Sequence, residues 1–178
     1  AIEFISPLID RKFEVFASKF EGKVVVITGA SGLVGLHFLA FFKFLREHDI
    51  NVRVITSFFS NPLELDWSWV EEKRVDLSNH KEARDFFCTE CKGADYVLHC
   101  AGYGQPLKFS RNPLSTIAVN TIPLLTCFDA LPEAQIIFVS SSELYNGKMT
   151  APHSEDEIGN TTPQHPRSAY IEGKRCGE

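Results

Sequence analysis

Two residues near the end of the chain could carry proton chemistry. Tyr170 and Lys174 stand four positions apart, so a helix beginning near Ser168 would project both from one face. A tyrosine, with a pKa of about 10, is a weak base at neutral pH, but an adjacent ammonium stabilises its phenolate. The pair could then take a proton from a hydroxyl while a hydride leaves the same carbon. The same spacing is also common on exposed helices without any chemistry.

A second candidate is the turn GASGLVG, residues 29–35. It follows the apolar run KVVVIT and precedes LHFLAFFKFL, a pattern that predicts a strand, a turn and a helix. The first amides of such a helix are unpaired and favour a diphosphate. Gly29 would make the turn, Gly32 would admit a phosphate and Gly35 would allow close helix–strand packing. The glycines alone would also suit a purely structural turn.

Polar residues close another apolar run, in the sequence VSSSELY. Ligands of open α/β sheets lie at the carboxyl ends of the strands. Ser141 and Ser142 could therefore hydrogen-bond a substrate hydroxyl, and Glu143 could act as an acid or a base. The alternative is a polar strand end whose side chains only cap the next turn.

The residues that would bind the adenosine part of a dinucleotide are less regular. A site for NAD usually has a carboxylate at the end of the second strand, whereas a nearby Arg favours NADP. Here that strand ends in VITSFF, which offers Thr56 and Ser57, with no acid there and no Arg just beyond. Asp76, in RVDLS, could accept a hydrogen bond from the adenine amine or could merely cap the chain.

The elements that position these residues follow from the apolar runs. Strands are predicted over residues 23–28, 51–56, 95–100 and 135–140, with a further one before Asp76. Strands that are apolar on both faces are typical of a parallel sheet covered on both sides. Helices are expected over residues 33–48 and 113–130, and Asn79 with Glu82 predicts the start of another. The fold class is therefore α/β, with a doubly wound parallel sheet.

Three further expectations concern other segments. Apolar residues at helical spacing predict a short amphipathic helix over residues 9–20, within an N-terminal extension formed by residues 1–22. Pro123 should kink its helix or end it early, because proline lacks a backbone donor. Residues 146–167, rich in Pro, Gly, Asn and Thr, should form one long irregular segment, and such segments are usually functional.

Composition excludes several classes of protein. The 178 residues, 44% hydrophobic and 23% charged, suit one soluble globular domain. A net charge of -5 without any Lys or Arg run argues against nucleic acid and membrane surfaces as partners. The longest apolar stretch, residues 36–45, is too short to span a bilayer. Five cysteines, with Cys88 and Cys91 in an isolated CxxC, favour a reducing, cytoplasmic setting over disulfides or a metal site.

The landmarks occur in the order of a known family. The segments TGASGLVG, VDLS, HCAG, VSSSELY and PRSAYIEGK, together with Asn120, resemble the extended short-chain dehydrogenases/reductases. This family contains nucleotide-sugar epimerases, dehydratases and decarboxylases. The resemblance covers the chain from Lys23 onward and implies a Rossmann fold, NAD as the cofactor, with NADP an open alternative, and a nucleotide sugar as the substrate.

The resemblance also implies roles for individual residues. Tyr170 would be the base, Lys174 would bind the nicotinamide ribose and lower the tyrosine's pKa, and Ser141 would align the sugar hydroxyl. The implied catalytic residues are Tyr170, Lys174, Ser141, Ser142, Glu143 and Asn120, the last as a support of the active-site helix. The implied cofactor-binding residues are Gly29, Ala30, Ser31, Gly32, Leu33, Val34, Gly35, Thr56, Asp76, Leu77, Ala101, Gly102, Tyr170 and Lys174.

Within the family, GNTTPQHPRSAYIEGKR is most similar to the UDP-glucuronate decarboxylases. The resemblance implies that the sugar's C4 hydroxyl is oxidised, that the resulting β-keto acid loses carbon dioxide, and that the hydride returns. Glu143 and Ser142 match residues of their active site, and Phe58 with Phe59 matches an aromatic pair. A 4,6-dehydratase is the alternative, a 4-epimerase is third, and a non-catalytic NAD-binding module is the alternative of another class.

Some features depart from the family. Thr56 stands where an Asp is expected, and Gly102 with Tyr103 differs from the usual substrate loop. The chain ends eight residues after Tyr170, whereas the family continues into more sheet and a sugar-nucleotide domain. We therefore expect residues 23–178 to be a Rossmann domain truncated within its catalytic helix. A homodimer of the full-length protein is expected, because relatives pair through the corresponding helices, and surface polysaccharide synthesis is the implied pathway.

Overall fold

Five parallel strands form the sheet of this protein, which a computed structural model describes over residues 15–149 and 151–178. The strands are β1 (Val24–Thr28), β2 (Arg53–Phe58), β3 (Val70–Arg74), β4 (Tyr96–His99) and β5 (Gln135–Phe138). Their order across the sheet is β3-β2-β1-β4-β5. The chain thus moves outward from β1 on one side and then crosses to the other. Such a reversal is where open α/β sheets bind ligands, and the predicted fold class is confirmed.

Helices accompany these strands. They are α1 (Leu33–Glu47), α2 (His80–Asp85), α3 (Pro106–Arg111), α4 (Pro113–Ala130) and α5 (Ser168–Gly177). Shorter 3-10 turns lie at Ser18–Phe20 and Ser142–Tyr145, and a π-turn lies at Phe86–Glu90. Within the described ranges, none of the helices is long and apolar enough to cross a membrane. Of the helix predicted over residues 9–20, residues 15–17 are helical, and residues 9–14 lie outside the described part.

The core has two apolar layers, one on each face of the sheet. Val25 and Ile27 of β1 face the layer that contains Phe42 of α1, whereas Val26 faces the layer that contains Phe87. The central strands are therefore buried on both faces, as the runs predicted. β3 differs, because none of its residues, VEEKR, is buried. An edge strand tolerates charge, and for this reason its bounds could not be read from hydrophobicity.

Of the two outcomes expected at Pro123, a kink or an early end, the early end does not occur, because α4 continues through it over the predicted range of residues 113–130. Proline removes the N–H that would bond the carbonyl of Val119, four residues earlier. That carbonyl instead accepts a hydrogen bond from Nε2 of His99 at 2.8 Å. Since a carbonyl only accepts, Nδ1 of His99 must accept from the hydroxyl of Thr28, 2.7 Å away. A side chain at the end of β4 thus replaces the missing helix donor.

Candidate functional site

The turn between β1 and α1 is formed by close backbone contacts. Gly29 has a φ of +65°, and a Cβ there would lie 2.6 Å from the Cα of Ala101. A Cβ on Gly35 would lie 2.6 Å from the carbonyl oxygen of Gly29. Real Cβ atoms do not approach other atoms so closely. Both positions therefore require glycine for β1 to meet the loop after β4 and the first turn of α1.

The first turn of α1 is open to a ligand. Gly32 is the N-cap residue, and no side chain caps this helix. Leu33 and Val34 are exposed, Ser31 is half-buried and Ala30 is fully buried. Uncapped amides at a helix N-terminus attract anions, and the bare backbone at Gly32 leaves room for one. The turn therefore fits the diphosphate of a dinucleotide.

The end of β2 lies beside this turn. Thr56 is fully buried, and its hydroxyl donates to the carbonyl of Glu71 at 3.3 Å. Ser57 contributes its carbonyl, which accepts from the amide of Gly29 at 3.0 Å. The structure thus uses both residues to hold the sheet and the glycine turn together.

Asp76 shapes the turn after β3. Its Oδ1 accepts from the amide and the hydroxyl of Ser78 at 2.9 and 2.6 Å. Its own amide donates to the carboxylate of Glu82 at 2.8 Å, and the side chain of Asn79 caps α2. The helix start predicted at Asn79 is confirmed, with the glutamate reaching Asp76 instead of the cap. Leu77, next to Asp76, is buried in the core.

Tyr170 and Lys174 lie on α5. The half-buried ring of Tyr170 stacks on Phe109, with ring centres 4.8 Å apart and planes 17° apart. Lys174 is only 6% exposed. Its Nζ donates to the carbonyl of Val139 at 2.6 Å and lies 4.5 Å from the ring centre of Phe138. Burial lowers the pKa of Lys174 to about 8, so the ammonium is held at the carboxyl end of β5 with little solvation.

Asn120 presents an acceptor without a protein partner. Its Nδ2 donates to the carbonyl of Thr116 at 2.7 Å, while its Oδ1 is buried and has no hydrogen-bond partner among the described residues. A Cβ on Gly102 would lie 3.8 Å from this oxygen and 3.9 Å from Nζ of Lys174. An unpaired buried acceptor costs about 1–3 kcal/mol. The position beside Gly102 therefore suits a bound donor such as a hydroxyl or a water.

The serines and the glutamate after β5 have unequal positions. Ser141 caps the 3-10 turn, because its Oγ accepts from the amide of Glu143 at 3.2 Å, and Ser142 is exposed. The carboxylate of Glu143 pairs with Arg167 at 2.5 Å and accepts from Nδ2 of Asn146 at 3.1 Å. Arg167 and Asn146 thus hold Glu143 near the start of α5.

The long segment of residues 146–167 is anchored to α5 by Arg175. Its guanidinium donates to the carbonyl of Leu144 at 2.7 Å and to the carbonyl of Asn146 at 3.2 Å. The hydroxyl of Thr161 also donates to the carbonyl of Asn146, at 2.9 Å. The described residues of this segment contain neither helix nor strand, as predicted.

Sequence reasoning missed three of these residues. No role was predicted for His99, Arg167 or Arg175. Each nevertheless lies inside a motif named above, either HCAG or GNTTPQHPRSAYIEGKR. Their partners are distant in sequence, so only their proximity to the chosen motifs could have pointed to them. The two cysteines of the CxxC motif have different environments, because Cys91 is buried and Cys88 is exposed. The described ranges contain no group of three His, Cys, Asp or Glu residues that could hold a metal ion.

The sequence from residue 25 to residue 178 matches the model of the NAD dependent epimerase/dehydratase family. This match covers most of the chain. The chain belongs to the NAD dependent epimerase/dehydratase family. The predicted membership is confirmed.

Individual proteins of known name or structure agree with this assignment. UDP-glucuronic acid decarboxylase 1 from Danio rerio is 29% identical over 165 residues, which is 92% of this chain and 38% of that protein. An epimerase from Methanothermobacter thermautotrophicus has a similar structure, with a TM-score of 0.70, 21% identity, and coverage of 90% of this chain and 47% of its own. The Bordetella bronchiseptica enzyme WbmH, solved in complex with NAD+, gives a TM-score of 0.67 at 20% identity and covers 87% and 50%.

The chain spans 38% of the length of that decarboxylase and about half of these two solved chains. The solved structures, at these identities, support the fold.

Proposed function

We propose that this chain is the dinucleotide-binding part of an enzyme that acts on a nucleotide sugar through transient oxidation at C4. The observation that carries the proposal is the position of Lys174. Its buried ammonium lies at the carboxyl end of β5, beside the unpaired oxygen of Asn120 and the backbone of Gly102. In a parallel sheet this edge is shared with the glycine turn at the end of β1. One ligand could therefore span both.

The residues of this chain would bind the dinucleotide at two places. The amides of the first turn of α1 would hold the diphosphate, with Gly32 allowing its close approach. Lys174 and Asn120 would hydrogen-bond the ribose hydroxyls on the nicotinamide side. A nicotinamide bound there would supply hydride acceptance from the sugar carbon and return of that hydride.

Tyr170 would take the proton of the C4 hydroxyl. The cation of Lys174 on the same helix would stabilise the negative charge that develops on the phenol oxygen. Stacking on Phe109 fixes the tyrosine ring, so little side-chain entropy is lost when a substrate binds. Ser141, at the end of β5, would align the sugar hydroxyl.

Decarboxylation of a UDP-uronate is the reaction that we favour. Glu143 and Arg167 form an ion pair near the start of α5, with the arginine side chain 44% exposed. A guanidinium in this position could recognise the carboxylate of a uronic acid, and the curated relative is a UDP-glucuronic acid decarboxylase. A 4,6-dehydratase would use Glu143 as its acid or base instead, and a 4-epimerase would not need it.

Residues 23–178 would form the dinucleotide-binding domain, preceded by an extension of residues 1–22 whose described part, residues 15–22, packs on it. Phe20 supports this division, because its ring contacts Phe42 and Tyr96 at centroid distances of 5.4 and 5.3 Å.

We also propose that the intact protein pairs through α4. Leu125 and Phe128 on that helix are 68% and 63% exposed, and sedimentation would show a dimer that Leu125→Glu dissociates.

The test is to incubate the intact polypeptide with UDP-glucuronate and either NAD or NADP. Release of carbon dioxide with formation of a UDP-pentose supports decarboxylation. In a parallel incubation with a GDP- or TDP-hexose, formation of a 4-keto-6-deoxy sugar supports the dehydratase instead. The Tyr170→Phe variant is the matched control, and it should bind the dinucleotide but turn over at least a hundredfold more slowly. Unchanged turnover in this variant would refute the role of Tyr170.

A further inference from the structure

An arginine lies where the adenosine end of a dinucleotide would bind. Arg74 is the last residue of β3 and lies opposite Phe58 in the register with β2. Its guanidinium carbon is 5.8 Å from the ring centre of Phe59, which is itself half exposed. Although no Arg follows β2 directly in the sequence, the parallel pairing therefore brings one to the same edge from β3.

This arginine is not neutralised by a neighbour. Arg74 is exposed, and no carboxylate of residues 15–149 or 151–178 forms an ion pair with it. Glu72 accepts from the amides of Leu63 and Glu64. Glu71 pairs with Arg53, at the opposite end of the strands.

The end of β2 contributes no negative charge. Its last residues and those that follow it, residues 56–61, are Thr, Ser, Phe, Phe, Ser and Asn. A carboxylate at this point would hydrogen-bond the 2′-hydroxyl of the adenosine ribose and would repel a 2′-phosphate. Neither effect operates here. Arg74 is a cation at this edge without an ion-pair partner in the described residues, and the nearby carboxylate of Asp76 is held by the amide and the hydroxyl of Ser78.

From this arrangement we propose that the chain prefers a dinucleotide whose adenosine ribose carries a 2′-phosphate, with Arg74 as the phosphate ligand. The inference rests on the proposed dinucleotide site and adds the identity of the cofactor. A guanidinium presents several N–H donors in a plane and binds phosphate oxygens in pairs. A cation–π contact with the ring of Phe59 restrains the guanidinium of Arg74, so less side-chain freedom is lost when it binds a phosphate.

The test is a calorimetric titration of the intact polypeptide with NADP+ and with NAD+, repeated with Arg74→Ala and with Arg53→Ala. Arg53 is the matched control, because it is an exposed arginine on the same strand pair at the opposite end. We expect NADP+ to bind about tenfold more tightly than NAD+. Arg74→Ala should remove that preference while changing NAD+ affinity less than about twofold, and Arg53→Ala should change neither.

Three results would overturn the inference. Tighter binding of NAD+ than of NADP+ would refute it and leave the proposed function intact. An equal loss for both dinucleotides in Arg74→Ala would show that Arg74 only stacks on the adenine. Binding of neither dinucleotide, by a polypeptide whose circular dichroism shows that it is folded, would refute the proposed function as well.

Discussion

The glycine turn and the α5 end of the candidate site are built in different ways. The turn is made from backbone contacts within residues 29–35 and with the loop after β4. The α5 end is made from charged side chains that reach distant residues: Lys174 bonds Val139, 35 positions away, and Arg175 bonds Leu144, 31 positions away. Substitutions in the glycine turn should therefore lower the unfolding free energy through steric clashes. Substitutions at the α5 end should act through the loss of charged side chains and should mainly change binding.

The largest expected effect is on the turn. Gly29→Ala combines a left-handed φ with a Cβ 2.6 Å from Ala101, and should cost about 3–5 kcal/mol of unfolding free energy. Gly22→Ala is the matched control, because Gly22 has a φ of +69° but no atom within 4 Å of its Cβ position. It should cost about 1 kcal/mol in urea denaturation. Equal losses in the two variants would show that close packing does not explain the need for Gly29.

His99 links the sheet to α4, since it bonds Thr28 at the end of β1 and Val119 on α4. Burial lowers its pKa from 6.5 to about 4. Between these values the unfolded chain binds the proton and the folded chain does not, so stability is full above pH 6.5 and falls with decreasing pH. The loss should reach about 3 kcal/mol near pH 4.

Urea denaturation at a series of pH values tests this. His99→Gln cannot take up the proton and should show a shallower decline of unfolding free energy between pH 6.5 and 4, although it starts less stable at pH 7. If its curve runs parallel to that of the wild-type chain, His99 is not the group responsible.

Lys174 should separate stability from binding. In Lys174→Met the lost hydrogen bond to Val139 is offset by removal of a poorly solvated cation, so the unfolding free energy should change by less than about 1 kcal/mol. Dinucleotide affinity should fall at least about tenfold. Wild-type affinity should likewise decline as pH rises through about 8, where Lys174 loses its proton. Lys148→Met, an exposed lysine, is the control, and affinity unchanged in Lys174→Met would contradict the assignment.

The smallest effect is expected at Arg175. Arg175→Gln should release residues 146–167 from α5 because the bonds to Leu144 and Asn146 are lost. The variant should be cleaved several-fold faster by trypsin within this segment, with little change in the thermal midpoint. Arg111→Gln, at the end of α3, should leave this rate as it is. Cleavage no faster than in the wild-type chain would argue against the anchor.

The comparison also explains what the sequence could and could not predict. The glycine turn, the buried strands and Asn79 obey local rules of backbone conformation and hydrophobicity, so their motifs predicted them. The helix over residues 113–130 was predicted, but its continuation past Pro123 could not be, because the donor that compensates for proline comes from His99, 24 positions earlier. The first and last residues of β3 could not be predicted for a related reason. Pairing with β2 stabilises this charged edge strand whatever the β-propensity of its residues.

The central claim is that the first turn of α1 holds the diphosphate of a dinucleotide. An amide-resolved NMR titration of the chain with NADP+ or NAD+ tests it most directly. We expect the amide signals of Gly32, Leu33 and Val34 to shift most, together with those near Gly102. A titration in which these signals stay in place, while others move or none does, would contradict it.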